Sequence, residues 1–117
     1  MYKPFDLSGK ATVVTGGNRG IGFGMAESLA QAGADLIIWG TNEAKNASAE
    51  KALKEYGRRV ISRRVNVANE SEVIEGMQAA VASMGRVDCV IANAGIGGGA
   101  RSFSEMSIET WRRVHAV

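Results

Sequence analysis

The sequence predicts an open, doubly wound α/β fold, with a parallel sheet carrying helices on both faces. Three observations predict it. Four short apolar runs alternate with four stretches of helical periodicity along the 117 residues. Glycine, present at 15 positions against a single proline, falls where these segments end. The first apolar run passes directly into a glycine-rich turn that opens a helix. Alternating strands and helices imply parallel pairing, because a parallel crossover needs a helix-sized connection. Right-handed crossovers then distribute the helices over both faces, with an expected strand order of 3-2-1-4.

Taken in order, residues 11–15 are a β-branched run closed by glycines, which reads as a buried strand. In the helical stretch that follows, Ile21, Met25, Leu29 and Ala32 share one face, and Gly33 stops it. Residues 36–39 form a second apolar run closed by Gly40. The polar, alanine-rich stretch 43–56 carries a narrow stripe of Ala49, Ala52, Leu53 and Tyr56 and ends at Gly57. Residues 60–65 are a third and more polar strand, expected nearer a sheet edge. Asn69 with Glu72 three positions on has the pattern of a capping box. Behind it Ile74, Met77, Val81 and Met84 repeat at helical spacing up to Gly85. Residues 87–92 are the fourth strand, 93–102 a glycine-loaded loop, and Ser107 a cap for a last helix through Trp111 and Val114. The methionines 25, 77 and 84 and Trp111 are expected in or near the core, and Cys89 as a small buried hydrophobe.

Composition narrows the function classes. Hydrophobic residues at 45% and charged residues at 22% are those of a globular domain and exclude compositional disorder. A net charge of +2, with no basic block longer than two residues, gives no nucleic-acid footprint. The paired arginines Arg58-Arg59 and Arg63-Arg64 read as a solvated face. One cysteine forms no internal disulfide, so a reducing, cytoplasmic setting is expected. No apolar run reaches the ~18 residues of a membrane span, and residues 1–6 have no signal-peptide core. His115, the sole histidine, has no partner at metal-site spacing, so no metal is expected.

The chemistry sits in the turn Thr15-Gly16-Gly17-Asn18-Arg19-Gly20-Ile21-Gly22. A strand must turn sharply here, and Gly16, Gly20 and Gly22 leave bare backbone where a Cβ would obstruct both the turn and an approaching diphosphate. The helix N-terminus then presents N–H groups and the positive end of its dipole to phosphate oxygens. Asn93 follows the fourth strand, at the carboxyl end where open parallel sheets bind ligands.

Those glycines, together with Asn93-Ala94-Gly95, resemble the short-chain dehydrogenase/reductase family of the classical type. The lead-in at residues 5–10 and Gly85-Arg86-Val87-Asp88 before the fourth strand are similar to that family's as well. The resemblance implies a Rossmann-type half-domain spanning residues 1–117 of a longer, homo-oligomeric oxidoreductase that acts on a small alcohol or carbonyl compound such as a sugar acid, polyol or ketone. It implies that Gly16, Asn18, Arg19, Gly20, Ile21 and Gly22 line the phosphates and adenosine ribose of a nicotinamide dinucleotide, and that Asn93, Ala94 and Gly95 pass beneath it.

Two positions depart from the family's common pattern. The acid that accepts from the adenosine ribose 2′-OH, expected ~20 residues past the glycines, is absent, and Thr41 and Asn42 stand there instead. With Arg19 able to pair a 2′-phosphate, NADP is favoured over NAD. Asn66-Val67 replaces the usual Asp-Val beside the adenine. The family's catalytic Tyr, with Lys four positions later, has no counterpart: Tyr2 lies in the N-terminal tail and Tyr56 precedes Gly57-Arg58-Arg59-Val60. The 117 residues alone are therefore expected to be inactive, as a truncated chain. A non-catalytic nucleotide-binding or sensor module is the alternative reading.

Overall fold

In the computed structural model, which describes residues 5–117, a four-stranded sheet lies between two helical layers. The elements are β1 (Ala11–Thr15), α1 (Gly20–Gln31), β2 (Asp35–Gly40), α2 (Glu43–Lys54), β3 (Val60–Arg64), α3 (Glu70–Met84), β4 (Cys89–Ile91) and α4 (Ile108–His115). The strand order is β3-β2-β1-β4 and every pairing is parallel, as the alternation predicts. Tyr2 lies outside the described residues.

Two buried clusters fill the two sides of the sheet. On one, Val14, Leu36, Ile38 and Val60 pack against Ala26 and Ala30 of α1 and Leu53 of α2. On the other, Val13, Ile37, Trp39 and Val65 pack against Ala80 and Met84 of α3. Both β1 and β2 are therefore apolar on both faces, which is why they read as continuous runs rather than alternating ones. β3 takes the outer edge, and its Arg63 and Arg64 are exposed.

The helix faces differ from the expected stripes. α1 buries Gly22, Ala26 and Ala30, while Met25 and Leu29 are half-buried and Ile21 is 79% exposed. α3 likewise buries Gly76, Ala80 and Met84 and leaves Ile74 and Val81 outside. In both helices the small residues at four-residue spacing face the sheet, because close packing of a backbone against β1 and β2 leaves no room for branched chains. A Cβ on Gly76 would lie 2.9 Å from Cζ2 of Trp39. In α2 the buried positions are Asn46, Ala49 and Leu53, and Tyr56 falls beyond the helix, its hydroxyl donating to Glu27 at 2.8 Å.

Cys89 is exposed rather than buried. β4 is the open edge of the sheet and only three residues long, shorter than the expected 87–92, and Val90 is 49% exposed. α4 does not cover that edge, since none of its residues is buried. Trp111 is likewise outside the core: it is 41% exposed, stacked on His115 at a centroid distance of 4.1 Å. The accessible surface of 7228 Å² exceeds the ~6,100 Å² expected for a compact chain of this mass, which agrees with the uncovered edge and α4.

Side chains fix the ends of the elements. Asn42, Asn69 and Ser107 cap α2, α3 and α4 by accepting from Lys45, Glu72 and Thr110 N–H groups. The capping box is only half made, because the Glu72 carboxylate accepts from the Asn66 N–H at 3.1 Å instead of from that of Asn69. Asp88 ties β4 to β1: its carboxylate accepts from the Ala11 N–H at 2.9 Å and pairs with Arg86. The Arg86 hydrogen bond, and after it that of Ala11, holds the Asp88 carboxyl below the usual carboxylate range.

Two outcomes follow for stability. Gly76→Val forces its side chain into Trp39 and Val65 and should cost about 2 kcal/mol in urea unfolding, whereas Gly24→Ala, exposed within α1 with open space at its Cβ, should stabilise by about 0.5–1 kcal/mol. A carboxyl whose folded pKa is depressed stabilises above its unfolded pKa, near 4, and that contribution is lost as pH falls through the folded value. Thermal melts of Asp88→Ala should thus fall below wild type at pH 7, with the difference shrinking only as pH falls below about 4.

Candidate functional site

All the residues singled out around the glycine turn line one cleft of about 830 Å³ at the carboxyl ends of the strands. Gly16, Asn18, Arg19, Gly20, Ile21 and Gly22 come from the β1–α1 turn, Thr41 and Asn42 from the end of β2, Asn66 and Val67 from the end of β3, and Asn93, Ala94 and Gly95 from the end of β4. The parallel sheet alone produces this convergence, since every strand delivers its following loop to the same edge.

The turn is built by missing side chains. Gly16 and Gly20 hold φ of +65° and +58°, a region other residues enter only with strain. A Cβ on Gly22 would overlap the Gly16 carbonyl and the Asn93 amide. By contrast, nothing lies within 4 Å of where a Cβ of Gly20 would be, so there the backbone faces open space. That space sits at the N-terminus of α1, the one α-helix among the described residues with no side-chain cap; Arg19 occupies the cap position in extended conformation. The arrangement leaves N–H groups and the positive helix end directed at the cleft.

The Thr15 hydroxyl, 6% exposed, locks the two central loops together. It accepts from the N–H groups of Asn93 and Ala94, each at 2.9 Å, and donates to the Ile91 carbonyl at 3.4 Å. The Asn93 amide in turn donates to the Gly16 carbonyl at 3.3 Å. Asn46 performs the corresponding task at β2: buried to 3% exposure, it donates to the Gly40 carbonyl at 3.0 Å and accepts from Asn18 at 2.9 Å. The Asn18 amide nitrogen is therefore directed into the protein. Asn66 accepts from the Ala68 N–H at 3.0 Å, the one hydrogen bond of its side chain among the described residues.

Sequence reasoning missed Thr15 and Asn46 as supports, and Lys45 and Trp39 as lining residues. Thr15 reads from the sequence as the end of the first strand and the head of the glycine turn, with no partner for its hydroxyl, and Asn46 only as a polar residue inside a helical stretch. Signals were present in the hydroxyl preceding the glycines and in an asparagine on the Ala49–Leu53 face. The lining contains Arg19, Lys45 and Arg113 and no Asp or Glu. Tyr56 is remote from the cleft, and its bond to Glu27 raises its pKa. Among the described residues no group of three His, Cys, Asp or Glu side chains is placed to hold a metal ion.

Comparison with known proteins agrees with this geometry. Residues 10–117 match the family described as short chain dehydrogenase. The chain is 41% identical over 92 residues to a probable NADP-dependent mannitol dehydrogenase of Yarrowia lipolytica, covering 79% of this chain and 33% of that protein. Its fold superposes on NAD+-bound xylitol dehydrogenase with a TM-score of 0.90 at 27% identity, over 95% of this chain and 43% of the other. A metagenomic short-chain oxidoreductase in complex with NADP gives 0.88 at 28% identity, over 96% and 51%. The chain thus spans between a third and about half of the length of these proteins.

Thr15→Val, which keeps the shape and removes the hydroxyl, leaves the partly buried Ala94 N–H without acceptor and the Asn93 N–H with the Ile91 carbonyl alone. It should cost about 1–3 kcal/mol in urea unfolding and speed hydrogen exchange at Asn93 and Ala94, and Thr15→Ser should restore most of both.

Proposed function

The chain belongs to the short chain dehydrogenase family, and on that premise we propose that these residues bind a nicotinamide dinucleotide, NADP in preference to NAD, as the cofactor-binding half of an oxidoreductase acting on a small alcohol or carbonyl compound. The carrying observation is the open, uncapped N-terminus of α1 above Gly20, with Gly22 closed tightly onto Gly16 and Asn93. The residues fit the cofactor: Gly20 leaves a cradle that a Cβ would fill, and no carboxylate lines the cleft to repel phosphate.

Gly16 and the first-turn N–H groups of α1 hold the diphosphate. Val67 and Asn66 flank the adenine, with the Asn66 NH2 left as donor because its oxygen accepts from Ala68. Asn93, Ala94 and Gly95, fixed by Thr15, form the floor. Thr41 and Asn42 stand where an acid would select the free ribose hydroxyl, and Arg19, lining the same cleft, would pair with a 2′-phosphate. The bound dinucleotide supplies the hydride donor or acceptor. A polyol or sugar-type substrate is supported by the similarity to mannitol and xylitol dehydrogenases.

Proton transfer to the developing alkoxide needs a positioned acid, whose absence costs ~10²–10⁴-fold. None is placed at the cleft by these residues, Tyr56 being held by Glu27 elsewhere. A polypeptide of these 117 residues should bind cofactor yet show no oxidation of reduced nicotinamide with ketones, aldehydes or sugar acids. Steady turnover by material free of host dehydrogenase would contradict this.

The binding role is tested by Gly20→Val, which strains the left-handed backbone and fills the phosphate approach. Calorimetric titration with NADPH should show binding lost while circular dichroism shows the fold kept. Unchanged affinity would refute the role of the turn.

A further inference from the structure

Arg113 lines the cleft, yet nothing in the cofactor reading uses it. The sheet has β3 at one edge and β4 at the other, so the cleft runs from Asn66 and Val67 to the loop after β4. With the adenine at the β3 end, the β4 end is where a substrate meets the nicotinamide. α4 flanks that end. A Cβ on Gly98 would lie 3.3 Å from Cγ2 of Thr110, so the backbone of the glycine-loaded loop is seated directly on the helix. The Arg113 guanidinium donates to the Gly98 carbonyl at 3.4 Å, which ties it to the same loop. That single bond leaves most of its five N–H donors free. The ion pairs among the described residues do not include it. Glu109, one turn earlier on the helix, is not paired with it and does not line the cleft. The neighbouring lining side chains, Ala94, Ile96, Ala116 and Val117, are apolar, and the Asn93 amide is turned to the Gly16 carbonyl.

We propose that Arg113 is a specificity-determining residue that binds a carboxylate of the substrate, so that the compound oxidised or reduced is a sugar-type hydroxy or keto acid rather than a neutral polyol. This deepens the substrate class given above and rests on the cofactor reading for the direction in which the dinucleotide lies. A neutral polyol would bring several hydroxyl groups against apolar side chains here, with no carboxylate to accept from them. A carboxylate meets a planar guanidinium whose parallel N–H groups match its two oxygens. Arg113 is the one charged lining residue at this end of the cleft. One guanidinium balances one carboxylate, whereas a phosphate of about −1.5 to −2 charge would stay partly unneutralised.

The test is an NMR titration of the isotopically labelled 117-residue chain, saturated with NADP+, with gluconate, sorbitol and sorbitol 6-phosphate at constant ionic strength. Gluconate should shift the Ile96 and Gly98 amides and the Arg113 Nε–H saturably, and bind about tenfold more tightly than sorbitol, as one charge-assisted contact allows. Arg113→Gln should remove that preference and Arg113→Lys should keep part of it. Arg112→Gln, outside the cleft lining, should leave it unchanged. No saturable shift with gluconate, equal binding of gluconate and sorbitol, or a preference that survives Arg113→Gln would overturn the role of Arg113 while leaving the cofactor reading standing. So would tighter binding of sorbitol 6-phosphate than of gluconate, or an Arg113→Gln variant whose loss is in NADP+ affinity instead. A wild-type chain that binds no NADP+ would overturn both.

Discussion

The structure depends on how closely α1 comes to the ends of β1 and β4. At Gly22 the helix backbone lies so near the Gly16 carbonyl and the Asn93 amide that a single added carbon would displace one of them. That approach fixes the angle at which the helix leaves the turn, and so the direction of its dipole. It also brings Asn93 within 3.3 Å of Gly16, so that two strand ends far apart in sequence share one loop cluster. Hydrophobic burial on both faces makes the sheet stable, but this contact decides where its open edge points its polar groups. The same logic governs the helix interiors. Gly22, Ala26 and Ala30 in α1 and Gly76 and Ala80 in α3 are small because the sheet is close.

Much of the fold was legible because its signals are local. Four glycines, Gly33, Gly57, Gly85 and Gly16, hold positive φ at segment ends, and β-branched runs between them specify strands. The alternation then leaves few topologies once crossover handedness is imposed. What was not legible depends on neighbours. The large apolar side chains Ile21, Ile74 and Val81 suggest core by type, whereas alanine and glycine hold the actual contact faces. Cys89 and Val90 lie in an apolar run, yet their exposure is set by what stands beside β4, which no property of the run itself encodes.

The candidate site divides in the same way. Its glycines and Asn93 carry backbone requirements that leave a spacing in the sequence. Its supports do not: Thr15 and Asn46 act through hydroxyl and amide groups whose partners lie across the sheet or in another loop. Lys45 lies on a helix whose first turn is brought to the cleft only by the parallel register of β2 with β1. The site is thus an edge property of the sheet: bare backbone and Arg19 come from the loop after β1, Thr41 and Asn42 from that after β2, Asn66 and Val67 from that after β3, and the Thr15-locked floor from that after β4. Trp39, whose indole N–H is buried without a partner, packs its benzenoid edge against Gly76, so its role is to fill space beneath the cleft.

The central claim is that the glycine turn and the Thr15-locked loop form one dinucleotide site at the carboxyl edge of the sheet. The most direct measurement is the amide NMR spectrum of the isotopically labelled chain during titration with NADPH. The account predicts saturable shifts at Gly16, Gly20, Gly22, Ala94 and Gly95, with Gly33, Gly57 and Gly85 at the opposite edge unmoved. Shifts confined to the opposite edge, or none at millimolar cofactor in a folded chain, would contradict it.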